Sequence, residues 1–262
     1  MIISSIQMDI VPGDPKQNRQ NVETLVSKEV KQNQPDIIVL PEMWTTAYTL
    51  PQLTDIADHE TSNTIPFLQQ LASTHNVHLA AGSIAYQQGD DMFNRALIIN
   101  RNGELVYHYD KLHLVPMLNE PDYLTGGKHK AQVFELGGIK MGVIICYDLR
   151  FPELVRALAL EGAQVIFLPA EWPDARRDHW RYLQLARAIE NQVYMISCNR
   201  IGTYNNTTFA GHSMIIDPWG SILAEGSTDQ AEVIRASLSP EKVTEVRQQV
   251  PVFSSRVPHY YA

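Results

Sequence analysis

Cysteine is scarce in this chain: 262 residues contain two, Cys146 and Cys198. Two thiols do not make a disulfide framework, and a reducing compartment leaves both free. Positive charge is short as well. Lys and Arg number 21 against 29 Asp and Glu, a formal net charge of -8. Arg176-Arg177 alone is not the basic face that nucleic acid requires, so no nucleic-acid partner is expected. No run of about 18 apolar residues occurs, and Met1 to Gln7 has neither a basic n-region nor a long apolar core. No membrane contact is expected, and the expected location is the cytoplasm. Domain linkers, low-complexity tracts and internal repeats are also lacking. With 44% apolar residues, the chain is expected to form one large α/β domain over residues 1–262 with a substantial core.

What is present is a series of short apolar runs, many of them ending on a polar residue. Met1 to Met8 reads as a strand and Asn18 to Gln32 as a helix, with Val22, Leu25, Val26 and Val30 at helical spacing. Asp36 to Leu40 is a buried strand ended by Pro41-Glu42-Met43-Trp44. Pro66 to His75 reads as a helix and Val77 to Ala85 as a strand containing Gly82. Ala96 to Asn100 and Glu104 to His108 form a hairpin across Arg101-Asn102-Gly103. Lys111 follows that hairpin, and the long loop Val115 to Lys130 follows Lys111. Strands are expected at 142–145, 163–169 and 193–198, and a helix over 179–191. Short strands over 213–216 and 222–224 flank the turn Asp217-Pro218-Trp219-Gly220, and 232–236 follows them. If the strand ends converge, Glu42, Lys111, Cys146, Glu171 and Asn199 share one cleft.

Cys146 stands where a strand ends and Pro152 opens the next helix, a junction that faces a crevice in layered α/β folds. A lone thiol there is ordinarily a small buried hydrophobe. The polar residues around it, Tyr147, Asp148, Arg150 and Glu153, are more than a structural turn needs and point to a nucleophile. Arg150 and Glu153, three apart, are expected to pair across the first helical turn.

Three blocks carry a family resemblance: Pro-Glu-Met-Trp around Glu42, Asp-Lys-Leu-His-Leu around Lys111, and Cys-Tyr-Asp-Leu-Arg-Phe-Pro-Glu from Cys146. In type, order and spacing they resemble the signature blocks of the nitrilase superfamily of carbon-nitrogen hydrolases, from about residue 2 to Pro251-Val252-Phe253. The resemblance implies an α/β fold, a four-layer α-β-β-α sandwich, with Glu42, Lys111 and Cys146 as the catalytic set. A cysteine near its ordinary pKa needs a base to become a nucleophile, and Glu42 is that base. Lys111 and the backbone N-H of Tyr147 stabilise the oxyanion. Glu120 matches a second glutamate of the family, orienting Lys111 or assisting proton transfers, although Pro121 stands where similar proteins commonly carry a histidine. Neither metal nor organic cofactor is implied. His75 with His78, and His108 with His113, show no ligand pattern for a metal.

The stretch Glu171-Trp172-Pro173, His179-Trp180 and Ala186 to Gln192 is similar to the omega-amidase branch, which hydrolyses the terminal amide of 2-oxoglutaramate or 2-oxosuccinamate. The implied partner is therefore a small-molecule amide. Its remote carboxylate needs a cationic clamp, for which Arg176, Arg177 and Arg200 are the candidates, and Trp172 is a candidate pocket floor. N-carbamoyl amino acids and deaminated glutathione stay open as substrates. From a different class, so does a non-catalytic binding module on the same fold, although the joint presence of Glu42, Lys111 and Cys146 argues against it. A papain-like protease would need a histidine signature that is absent. The resemblance also implies a homodimer, paired through the helix over 179–191 and a tail over about 251–262.

Overall fold

Ile37–Val39 and Val165–Ala170 are buried at every position, which a strand achieves only with both faces covered. They lie at the centres of two sheets. The computed structural model describes residues 1–261; Ala262, the last residue of the expected tail, lies outside the described residues.

In chain order the elements begin β1 (Ile2–Gln7), α1 (Pro15–Asn33), β2 (Ile37–Val39), α2 (Leu53–Ile56), α3 (Thr64–His75), β3 (His78–Gln88), β4 (Asp91–Ile99) and β5 (Leu105–Asp110). Then come β6 (Phe134–Leu136), β7 (Ile139–Val143), α4 (Pro152–Leu160), β8 (Val165–Ala170), α5 (Arg177–Asn191) and β9 (Tyr194–Asn199). Last are β10 (Thr203–Tyr204), β11 (Thr207–Thr208), β12 (Met214–Ile216), β13 (Ile222–Glu225), β14 (Glu232–Ser237) and α6 (Glu241–Gln249).

One sheet runs β14-β1-β2-β3-β4-β5 and the other β13-β12-β9-β8-β7-β6. In each, three parallel strands form the centre, β1-β2-β3 and β7-β8-β9, and antiparallel strands flank them. The parallel centres send the residues after β2, β7 and β8, among them Glu42, Cys146 and Glu171, to strand C-terminal ends.

The sheets pack face to face. Ile3, Ile37, Val39, Ile98, Met141, Val143, Phe167 and Ile196 share one buried cluster between them. The opposite side of the first sheet packs Ile38, Leu40 and Leu79 against Val22 and Val26 of α1 and Leu68 and Leu71 of α3. The period-two alternation of Ile37, Ile38 and Val39 thus divides one strand between two cores. Helices α4 and α5 cover the outside of the second sheet. Ser5 Oγ donates to the Ser197 carbonyl at 2.8 Å, and Gln7 Oε1 accepts from both the N-H and the hydroxyl of Ser213. These buried bonds fix the sheets in register.

Helix α1 starts three residues before the expected Asn18, because the Asp14 side chain caps it by accepting from Gln17 N at 2.9 Å and Pro15 fits the first turn. Strand β4 reaches back to Asp91, beyond the expected Ala96. Residues 146–150, expected as a bend, form a short 3-10 helix. Helix α6 had no counterpart in the sequence reading.

Candidate active site

Two strained elbows frame the site. After β2 the chain turns at Glu42 and Met43, and Met43 has φ of 45°. Strand β3 passes so close beneath this turn that a Cβ on Gly82 would lie 2.0 Å from the Pro41 carbonyl oxygen. Gly82 also has φ of +60°, so this position excludes every side chain on two independent grounds. The second elbow is Cys146, with φ of 43°. A non-glycine residue in that region typically costs about 1–3 kcal/mol and persists only where its surroundings enforce it.

Asp148 does the enforcing. Fully buried, it accepts from Ile145 N at 3.0 Å and Tyr109 OH at 2.8 Å through one oxygen. Through the other it accepts from His113 N at 3.1 Å and bonds the His113 ring at 2.7 Å. His113 in turn stacks on Phe151 at 3.5 Å between ring centroids. The bend is therefore tied on both sides of the sulfur.

Lys111 follows β5 and is wholly buried. Its Nζ lies 2.8 Å from Glu42 Oε1 and 2.8 Å from Glu120 Oε1. Glu42 Oε1 also accepts from Asn94 Nδ2 at 2.7 Å, and Glu42 Oε2 accepts from the backbone N-H of Glu171 at 2.8 Å. The Tyr48 hydroxyl bridges the two carboxylates, bonding Glu42 at 2.9 Å and Glu120 more closely. Val115 N donates to Glu120 Oε2 at 2.7 Å, fastening the long loop. Pro121 fits: Glu120–Asp122 is a 3-10 turn with proline in its first turn.

Burial alone would drive Lys111 toward neutrality, but Glu120 and Glu42 hold it well above its ordinary value, so it stays an ammonium. Burial, opposed by Lys111 and reinforced by Glu42, raises Glu120. Burial and the charge of Glu42, partly countered by Lys111, push the Cys146 thiol well up. The sulfur thus lies within the field of all three groups and rests as a neutral thiol.

A narrow cleft lies beside the sulfur, lined by Val115, Met117, Leu118, Tyr147, Arg150, Glu171, Trp172, Pro173 and Arg176. Trp172 is 2% exposed and donates its Nε1-H to the Arg176 carbonyl at 2.8 Å. The N-H of Tyr147 makes no backbone hydrogen bond among the described residues. Arg176 reaches the cleft as expected, but the other two candidate cations do not serve it. Arg177 pairs with Asp174 outside the lining. Arg200, 1% exposed, is consumed by Glu171 at 2.9 Å and Asp9 at 2.6 Å.

Arg150 replaces them. Instead of pairing with Glu153, its guanidinium sits 4.8 Å from the Trp172 ring centre, and no carboxylate pairs with Arg150 or Arg176 among the described residues. Stacking on an indole attracts a guanidinium, whereas an exposed pair with Glu153 would contribute little. Sequence reasoning also missed Tyr48 and Asn94, and it placed Glu171 in the cleft without seeing its bond to Glu42. Among the described residues no group of three or more His, Cys, Asp or Glu is arranged to hold a metal. No helix there is long and apolar enough to cross a membrane.

The sequence profile of the carbon-nitrogen hydrolase family matches residues 2–248. The chain belongs to this family. The hydrolase is 42% identical over 251 residues to the 2-oxoglutaramate amidase of Bacillus subtilis, covering 96% of this chain and 95% of that one. It is 39% identical over 256 residues to a hydrolase in the agr operon of Staphylococcus aureus, covering 97% of each. Saccharomyces cerevisiae Nit3, a member of branch 10 of the nitrilase superfamily, superposes with a TM-score of 0.90 at 30% identity over 98% of this chain and 96% of that one. The hydrolase therefore has the α-β-β-α sandwich of the nitrilase superfamily, is similar to its omega-amidase branch, and is an enzyme acting on amides.

Proposed function

We propose that the enzyme hydrolyses the terminal amide of a small carboxylated substrate, a 2-oxo acid omega-amide such as 2-oxoglutaramate, through a thioester on Cys146. The observation that carries the catalytic part is the buried ammonium of Lys111, 2.8 Å from both Glu42 and Glu120, in the cluster that sets the charge around the sulfur. Because Cys146 rests as a thiol, its proton moves to Glu42 as sulfur attacks the carbonyl carbon. Lys111 and the free N-H of Tyr147 receive the oxyanion. The C-N bond then breaks, ammonia leaves with the proton held by Glu42, and water cleaves the thioester to give the acid and restore the thiol. Glu120 holds Lys111 in place.

The substrate assignment rests on Arg150 and Arg176, two cations without acidic partners in the cleft that holds the sulfur. A carboxylate remote from the amide would pair with both. The similarity to the Bacillus subtilis 2-oxoglutaramate amidase points the same way. Ammonia release from 2-oxoglutaramate, compared with an N-carbamoyl amino acid and deaminated glutathione, tests the assignment. Preference for either alternative would overturn it. We further propose a cytoplasmic homodimer. Tyr182 and Ile189 on α5 are 62% and 53% exposed, and Tyr260 in the tail is 79% exposed, a set of large apolar side chains suited to pairing.

A further inference from the structure

A primary amide brings two kinds of group into the cleft. Its carbonyl oxygen needs donors, and Lys111 and Tyr147 N-H supply them. Its NH2 carries two donors and needs an acceptor. Glu42 Oε1 already accepts from Lys111 and Asn94, and its Oε2 from Glu171 N. Glu120 Oε1 accepts from Lys111 and the Tyr48 hydroxyl, and its Oε2 from Val115 N. Two buried carboxylate oxygens among the described residues have no partner at all, Asp58 Oδ2 and Glu171 Oε1. Asp58 is not part of the cleft lining, whereas Glu171 is.

Leaving a buried carboxylate oxygen unmatched is costly, and the rest of Glu171 is held firmly. Its Oε2 accepts from Arg200 Nη1 at 2.9 Å, Arg200 is anchored again by Asp9, and its N-H is fixed to Glu42. We infer that Glu171 Oε1 is the acceptor for the substrate's amide NH2, and that this contact makes the site select amides over esters. An ester offers an oxygen lone pair where the amide offers N-H, and sets it against a carboxylate. A buried polar group left unpaired by the wrong substrate discriminates strongly. The inference rests on Cys146 being the nucleophile, as proposed above. The charged groups acting on Glu171 are Arg200, Glu42 and Lys111. Burial, opposed by Arg200, pushes its carboxyl up to about 8, so pH 9 favours the acceptor form.

The test compares kcat/KM at pH 9 for 2-oxoglutaramate and for the 5-methyl ester of 2-oxoglutarate, in wild type and Glu171→Gln. The expected result is a fall of about 10- to 100-fold in the amide-to-ester ratio. An unchanged ratio, with both substrates slowed alike, overturns the inference and leaves Glu171 as a support for Glu42. Should Glu171→Gln not fold, binding to Cys146→Ala decides instead: the amide is expected to bind at least about 10-fold tighter than the ester, and equal binding overturns the inference. No ammonia from any amide with the wild-type enzyme would be the distinct failure of the amidase reading itself.

Discussion

At Cys146 the resting state is the neutral thiol, because burial and the nearby Glu42 charge both oppose a thiolate. Alkylation of the free enzyme by iodoacetamide is therefore expected to be slow at pH 7 and to rise about tenfold per pH unit through pH 9. A plateau below pH 8 would show a standing thiolate and contradict proton transfer to Glu42. Removing the base by Glu42→Gln is expected to lower kcat by about 10²- to 10⁴-fold. The two unpaired arginines give a separate prediction. Arg150→Ala and Arg176→Ala should each raise KM for 2-oxoglutaramate by about 10-fold or more, with a much smaller effect on an amide lacking the carboxylate. Equal effects on both amides would remove the clamp.

Among the elements, the elbow after β2 depends on a glycine that lies in β3. Gly82→Ala would drive a methyl group into the Pro41 carbonyl, so a loss of about 2 kcal/mol or more is expected by denaturant titration, together with reduced kcat as Glu42 shifts. Wild-type stability would contradict the close approach. Helix α1 is tied to both β1 and β14 by Glu29, which accepts from Ser4 Oγ at 2.7 Å and from Arg235. Although burial opposes ionisation, Arg235 and Ser4 lower the Glu29 carboxyl. A depressed carboxyl stabilises the fold above its unfolded value and ceases to do so as pH falls through its folded value. Glu29→Gln should therefore cost about 1–2 kcal/mol at pH 7, discounted for the part-exposed arginine, and this difference should shrink below pH 4.5.

Legibility followed chain distance. Glu42, Lys111 and Cys146 were readable because each stands just beyond an apolar strand inside a distinctive local block. Asn94 and the Glu171 N-H were not readable as partners of Glu42, since 52 and 129 residues separate them from it; only the sheet pairing brings them near. Arg150 was misassigned because helical spacing describes a pair with Glu153 but says nothing of Trp172, which arrives from the end of β8. Arg200 looked like a free cation at a strand end until the fold supplied Glu171 and Asp9. The strand-rich, alternating pattern revealed the α/β class. The pairing of two sheets, each with its own parallel centre, came only with the family resemblance, because periodicity records burial and not which face meets which.

For the whole molecule, the sandwich supplies four buried ionisable groups, Glu42, Lys111, Glu120 and Glu171, with bonds that no single element provides, and it leaves apolar side chains of α5 and the tail outside. If those side chains pair two copies, light scattering will give about twice the 29.6 kDa chain mass, and Tyr182→Asp with Ile189→Asp will give the monomer. A monomeric wild type would remove the dimer. The central claim is that Cys146, driven by Glu42 and Lys111, is the nucleophile. It is tested most directly by the rate of ammonia release from the best primary amide substrate in Cys146→Ala, with Cys198→Ala measured beside it. The account predicts a loss of at least about 10⁴-fold at Cys146 and near-wild-type turnover at Cys198. Turnover by Cys146→Ala within tenfold of wild type would contradict it.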